Sequence, residues 1–297
     1  MRSEQQMMDL ILDAARKDDR IRAVYLNGSR TNPNVPKDKY QDFDVVYAVS
    51  DIAPFSEDNG WLSDFGPLAI MQEPSRIDLA FGHEPDPFRR YTRLMLFADG
   101  NRIDLTVAKL DLAVAEYTKD SLTLPLLDKD GILPQIPPPS DRDYWVNRPT
   151  EAQFQGNCNE FWWCLNNVAK GVNRDELPYV MEMFNVYVRQ ALMRALDWSV
   201  GAQTGFSVST GKSGKFLKRY LSAERYEALK KTYPDGDYAR IWEAVFASCS
   251  LFSEISREIA AVLGYRYLAG EEEGTLRYLR AMREEWKALQ ITEGGHD

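Results

Sequence analysis

Apolar residues recur at helical spacing over residues 4–18, at Met7, Met8, Leu10, Ile11, Leu12 and Ala15, and predict an N-terminal helix. The period then changes. Ile21, Ala23, Val24, Tyr25 and Leu26 form a short apolar run ending at Asn27-Gly28, the pattern of a strand that enters a turn. Asp42-Phe43-Asp44-Val45-Val46-Tyr47-Ala48-Val49 predicts a second strand, and Leu68 to Met71 a weaker third. Arg93–Phe97 and Arg102–Val107 flank Asp99-Gly100-Asn101, whose turn chemistry predicts a hairpin. Together these elements predict a helix packed on a mixed sheet.

Ile132-Leu133-Pro134-Gln135-Ile136-Pro137-Pro138-Pro139-Ser140 reads as a stiff extended connector, and the expected domain boundary falls inside it, giving residues 1–135 and 136–297. Beyond the connector the period is helical throughout. Residues 151–170, 177–200, 213–221, 223–231, 237–263 and 275–290 carry apolar stripes separated by Gly or Pro, and they predict a helical bundle. Trp162, Trp163, Tyr187, Trp198 and Trp242 on those stripes are expected in its core. The fold class is therefore α+β: a mixed sheet with flanking helices, then a bundle.

Composition narrows the function. With 44% hydrophobic and 27% charged residues the chain is an ordinary globular one. No apolar run approaches the roughly 18 residues of a membrane span. The first twenty residues lack the layout of a signal peptide. Three cysteines, Cys158, Cys164 and Cys249, fit reduced thiols in a cytoplasmic setting. Only two histidines exist, His83 and His296, which argues against a zinc site or a Ser-His-Asp triad. The net charge of −9 makes the chain a poor partner for nucleic acid. Residues 1–140 hold 16 basic and 23 acidic side chains, a net of −7, so negative potential concentrates there and favours metal ions and cationic small molecules.

The candidate chemistry lies in that acidic half. In Leu26-Asn27-Gly28-Ser29-Arg30 a Gly-Ser turn leaves a strand, and glycine lets backbone N–H groups approach a phosphate. Asp42 and Asp44 share one face of the next strand, because side chains alternate with period two. Two carboxylates on one face, with water and phosphate oxygens, suit octahedral Mg²⁺. Asp104, between Ile103 and Leu105, faces away from both neighbours. If it joins the Asp42/Asp44 face, three carboxylates can hold two Mg²⁺ ions for an in-line displacement. Asp104 can equally be the base that takes a proton from an attacking hydroxyl.

Gly-Ser, a spacer, Asp-x-Asp and a later acid resemble the nucleotidyltransferase superfamily. The resemblance extends further. Residues 1–5, Gly28-Ser29-Arg30-Thr31-Asn32, residues 41–44, Tyr144-Trp145, Arg148-Pro149-Thr150, Asn159-Glu160-Phe161-Trp162 and residues 215–221 are similar, in the same order, to the aminoglycoside 6-adenylyltransferase family, which inactivates streptomycin. That resemblance implies AMP transfer from ATP to the 6-hydroxyl of the streptidine ring, with pyrophosphate leaving and Mg²⁺ required. Position by position it implies that Gly28, Ser29 and Arg30 hold the triphosphate, Asp42 and Asp44 the metals, and Asp104 a metal or the proton. It also implies that the helical domain completes the ATP site, with Lys212 and Lys215 meeting the triphosphate, and supplies carboxylates to the guanidinium groups of streptidine. Glu160 is the first candidate and Glu182 the second.

Two look-alikes are set aside. Thr210-Gly211-Lys212-Ser213-Gly214-Lys215 lacks the spacing and preceding strand of a P-loop. Arg76-Ile77-Asp78-Leu79 repeats the string around Asp104, yet it precedes a loop, Phe81 to Pro87, and follows no hairpin partner. Two other functions stay open on sequence: transfer to a different hydroxyl compound or a protein, and non-catalytic nucleotide binding. Three retained carboxylates argue against the latter.

Overall fold

The structure, a computed structural model, describes residues 1–83, 86 and 88–293. His296, and Glu84, Pro85 and Pro87 of the expected 81–87 loop, lie outside the described residues. The chain forms two compact units, Met1–Asp143 and a second from Tyr144 onward.

In the first unit, α1 (Glu4–Lys17) begins at a reciprocal cap. The Gln6 N–H donates to the Ser3 hydroxyl at 3.2 Å, and the Ser3 N–H donates to the Gln6 side chain at 2.8 Å. Arg2, one residue earlier, forks onto Asp99 at 2.7 Å and onto the Phe65 carbonyl, which fastens the chain start to the hairpin turn. Then come β1 (Ile21–Asn27), β2 (Phe43–Val49), the single-turn α2 (Ala53–Ser56), β3 (Leu68–Gln72), α3 (Pro74–Ala80), β4 (Arg90–Phe97), β5 (Arg102–Lys109), α4 (Leu110–Tyr117) and β6 (Leu124–Asp128). The sheet order is β3-β4-β5-β2-β1-β6. Only the central β2–β5 pairing is parallel among these, so the sheet is mixed, as the pattern predicts.

Period-two alternation divides the sheet into two faces. Ile21, Val24, Leu26, Phe43, Val45, Tyr47, Ile103, Leu105 and Val107 meet Met7, Ile11 and Ala15 of α1 in the main core. Each fully buried Met or Ile there contributes roughly 1.5–3 kcal/mol. The opposite face places Ala23, Tyr25, Ala48 and Ala108 under Ala113 and Tyr117 of α4. Small residues on the strands let that short helix sit close.

The second unit is helical: α5 (Glu151–Asn173), α6 (Leu177–Glu182), α7 (Arg189–Thr204), α8 (Ala223–Lys230), α9 (Tyr238–Leu263) and α10 (Ala269–Glu293), with a π-helical turn, Met183–Val188, joining α6 to α7. Thr150 and Gln153 build a second reciprocal cap that starts α5. Phe161 stacks on Phe252 at 3.7 Å, and Trp162 and Trp242 are fully enclosed.

Two expectations need correction, and one further strand escapes the sequence pattern. The helix expected over 213–221 is two short 3₁₀ turns, Lys212–Gly214 and Leu217–Arg219, because Gly211, Ser213 and Gly214 all adopt positive φ, which stops helix propagation. Trp163 and Tyr187 are not core residues; they stand 67% and 44% exposed, outside the stripes that bury Trp162 and Val188. Residues 124–128 form an edge strand that the apolar pattern, broken by Pro125, conceals.

Candidate functional site

Strand pairing assembles the acidic site. Parallel register puts Asp44 beside Asp104, and antiparallel register puts Asn27 beside Asp44. Alternation then gives Asn27, Asp44 and Asp104 one face, on which Asp42 and Arg102 lie two residues earlier. Phe43, Val45, Ile103 and Leu105 point the other way, each no more than 1% exposed, and anchor the carboxylates in place. This is the same face that α4 covers at its other end, over Ala23 and Ala108.

Gly28 opens a 3₁₀ turn, Gly28–Thr31, directly after β1. Its φ is +75°, and a Cβ there would stand 2.3 Å from Asp44 Oδ2. Only glycine allows the backbone to run this close to the carboxylate. Thr31 fastens the turn through its hydroxyl, which lies 2.9 Å from the carbonyls of both Gly28 and Leu122. Ser29 is half-buried in the same turn, and its carbonyl accepts from the Gln41 side chain at 3.2 Å. Arg30 is buried; its guanidinium donates to the carbonyls of Gln41 and Asp42 and lies 3.8 Å over the Phe43 ring. Arg30 thus fixes the main chain that carries Asp42.

The electrostatics are those of a site short of positive charge. Burial, then the charges of Asp104 and Asp42, push the Asp44 carboxyl up from its ordinary 3.8 to about 6. Among the described residues no group donates a hydrogen bond to that carboxylate. Arg102 partly compensates: its Nε and Nη2 donate to the two Asp104 oxygens, both at 2.7 Å, and its Nη1 lies 3.4 Å from Asp42 Oδ2. The Asn27 Oδ1 atom, beside Asp44, is buried without a hydrogen-bond partner.

These residues fit a divalent ion of the Mg²⁺ type. The donors are hard oxygens only, the Gly28 cradle keeps the approach to Asp44 free of a side chain, and the Asn27 amide oxygen lacks a donor. No group of three or more His, Cys, Asp or Glu among the described residues is assembled to hold a metal by itself. Mg²⁺ does not require one, since it usually takes one or two carboxylates and completes its octahedron with water and substrate phosphates.

The remaining sequence candidates stand on other elements. Asp78 sits on α3, not on a strand, because Pro74 occupies the first helical position. Lys212 and Lys215 are exposed in and just after the 3₁₀ turn that follows α7, and among the described residues neither pairs with a carboxylate. Glu160 is exposed on α5, where it accepts from the Cys164 thiol at 3.4 Å, and Glu182 is exposed at the end of α6. Asn159 donates to Glu271 at 3.1 Å, so its block joins α5 to α10. Sequence reasoning missed Arg102 and Asn27. Asn27 was visible as the last residue before Gly28; Arg102 becomes a site residue only through the parallel β2–β5 register.

Comparison with known proteins identifies the family. The profile of the streptomycin adenylyltransferase family matches residues 1–282. Aminoglycoside 6-adenylyltransferase of Bacillus subtilis (strain 168) is 40% identical over 279 residues, 94% of this chain and 97% of that one. The Campylobacter jejuni protein of the same name is 40% identical over 267 residues, 90% of this chain and 91% of the relative. The Staphylococcus aureus protein is 36% identical over 268 residues, 90% and 94% respectively. With the family profile spanning nearly the whole chain and three such relatives covered almost end to end, this chain belongs to the streptomycin adenylyltransferase family and is an adenylyltransferase enzyme.

Proposed function

We propose that the protein transfers AMP from ATP to the 6-hydroxyl of the streptidine ring of streptomycin, with Mg²⁺ required and pyrophosphate released, and that it does so in the cytoplasm. The observation that carries this reading is the register of β2 and β5, which brings Asp42, Asp44 and Asp104 onto one face beside a glycine turn. The relatives' shared name supports an aminoglycoside as the acceptor.

In this reading the turn of Gly28, Ser29 and Arg30 receives the triphosphate through backbone N–H groups and the Ser29 hydroxyl. Asp42 and Asp44 hold the metal, and Arg30 keeps Asp42 in place through its carbonyl. Mg²⁺, when bound, withdraws charge from the phosphoryl group under attack and from the departing pyrophosphate. The 6-hydroxyl oxygen forms a bond to the α-phosphorus as the bond to pyrophosphate breaks. The hydroxyl proton passes to a carboxylate, Asp104, unless that residue is a third ligand. Lys212 and Lys215, which pair with no carboxylate among the described residues, supply positive charge to the triphosphate. Glu160 and Glu182, both exposed, supply carboxylates to the cationic acceptor.

A pyrophosphate-release assay with ATP and Mg²⁺ tests the acceptor. Streptomycin supports release and kanamycin, which lacks guanidinium groups and the streptidine ring, does not. Equal turnover of the two would overturn the assignment of the acceptor while leaving the adenylyltransferase reaction intact.

A further inference from the structure

Three acids and one arginine share the face that β2 and β5 build. The arginine has no evident use in holding the sheet: its side chain is 41% exposed at the start of β5. Its guanidinium is nonetheless fully engaged. One edge forks onto both oxygens of Asp104 at 2.7 Å, and the remaining nitrogen reaches 3.4 Å from Asp42 Oδ2. A fork on one carboxylate with a third nitrogen toward another is a geometry that arginine provides and lysine does not. Asp42 and Asp104 are also the two acids whose charges bear on Asp44.

We propose that Arg102 is the resident counter-cation of this acid cluster, holding Asp42 and Asp104 in the nucleotide-free protein and competing with the divalent ion for them. The inference rests on the metal-dependent reading of the site given above. Its physical basis is charge. A guanidinium about 5 Å from a divalent ion repels it by an amount worth roughly tenfold in affinity, even at the dielectric constant of water. The fork also turns both Asp104 oxygens toward β5's own side chain. The nucleotide-free site therefore binds free metal weakly, and an ion that arrives with the triphosphate has the extra anionic charge needed to displace the guanidinium. Arg102 is a positioning residue in this account: it acts through Asp42 and Asp104 and sets when they become available.

The test measures Mn²⁺ binding to the full-length, nucleotide-free protein by the loss of the free-ion electron paramagnetic resonance signal. Arg102→Met is expected to bind Mn²⁺ about tenfold more tightly than wild type, whereas Arg102→Lys, which keeps the charge, stays within about threefold. An arginine that merely props the carboxylates in place would give the opposite sign, weaker binding in Arg102→Met. Equal or weaker binding in Arg102→Met overturns the inference. A second readout needs no substitution: the Arg102 Nε–H resonance of the wild-type protein is protected from solvent exchange without nucleotide and loses that protection with Mg²⁺ and a non-hydrolysable ATP analogue. Protection unchanged by the complex overturns the inference too. Asp42→Asn and Asp44→Asn separate the two levels. If they weaken Mn²⁺ binding while Arg102→Met changes nothing, only the counter-cation role fails; if they leave it unchanged as well, the metal assignment itself fails.

Discussion

Replacing Gly28 by alanine adds one methyl group at the point where backbone and carboxylate meet. Two separate costs follow. At φ +75° an L-residue with a Cβ is strained by about 1–2 kcal/mol. The new Cβ also falls 2.3 Å from Asp44 Oδ2, closer than real Cβ contacts come, so the carboxylate has to swing away. A displacement of about 1 Å at a reacting centre costs on the order of a hundredfold in rate. Gly28→Ala should therefore lose about 1–2 kcal/mol in urea denaturation and at least a hundredfold in kcat/KM for pyrophosphate release. Gly131→Ala is the control: its φ is +67° but nothing lies within 4 Å of its Cβ position, so it carries the backbone strain without the collision. It should lose similar stability and keep its turnover. A Gly28→Ala protein working within about threefold of wild type would refute the claim that the turn and Asp44 are fitted to each other for catalysis.

Two further predictions follow from the acid cluster. The folded protein holds Asp44 at about 6, above the 3.8 that its unfolded chain would show, so protons stay bound longer in the folded state and its stability falls as pH rises from about 4 to 6. Asp44→Asn removes that penalty: the nucleotide-free variant should be more stable than wild type by about 1–2 kcal/mol at pH 7.5 and no more stable at pH 3.5, a comparison that thermal denaturation makes directly and that equal gains at both pH values would refute. Asp104→Asn should lower turnover at least a hundredfold, whereas Asp78→Asn on α3 should stay within about threefold of wild type. Loss of a base leaves the affinity for the Mg²⁺–ATP complex unchanged and loss of a ligand weakens it; an inactive yet folded Asp78→Asn beside an active Asp104→Asn would move the third carboxylate to the Arg76–Leu79 string.

Much of this architecture can be read along the chain, and what escapes has physical causes. The strands carrying Asp42, Asp44 and Asp104 are legible because Phe43, Val45, Ile103 and Leu105 alternate with the acids, and burial of one face forces exposure of the other. The turn at Gly28 is legible because a strand has to end somewhere and glycine marks where. The Arg76–Leu79 string looks like the Asp104 strand, but a proline two residues earlier converts it to the first turns of a helix. The segment after Gly211 has apolar spacing suited to a helix, yet backbone conformations at Gly211, Ser213 and Gly214 prevail over that spacing. Trp163 next to Trp162 shows the limit of composition, since adjacent helical residues differ by about 100° in direction and only one can enter the core. Arg102 illustrates a different limit. It lies 60 residues from Asp42 in sequence, and only the parallel register of two strands makes them neighbours.

The β2–β5 acid face is proposed to carry out adenylylation at one hydroxyl of streptomycin. Nuclear magnetic resonance of the purified product tests it most directly. Streptomycin incubated with the wild-type protein, ATP and Mg²⁺ should carry a single adenylyl phosphodiester on the 6-hydroxyl of streptidine, seen as phosphorus coupling to the carbon bearing that oxygen, and Asp44→Asn should yield no such product. An adenylyl group on another hydroxyl, or the same product formed by Asp44→Asn, would contradict it.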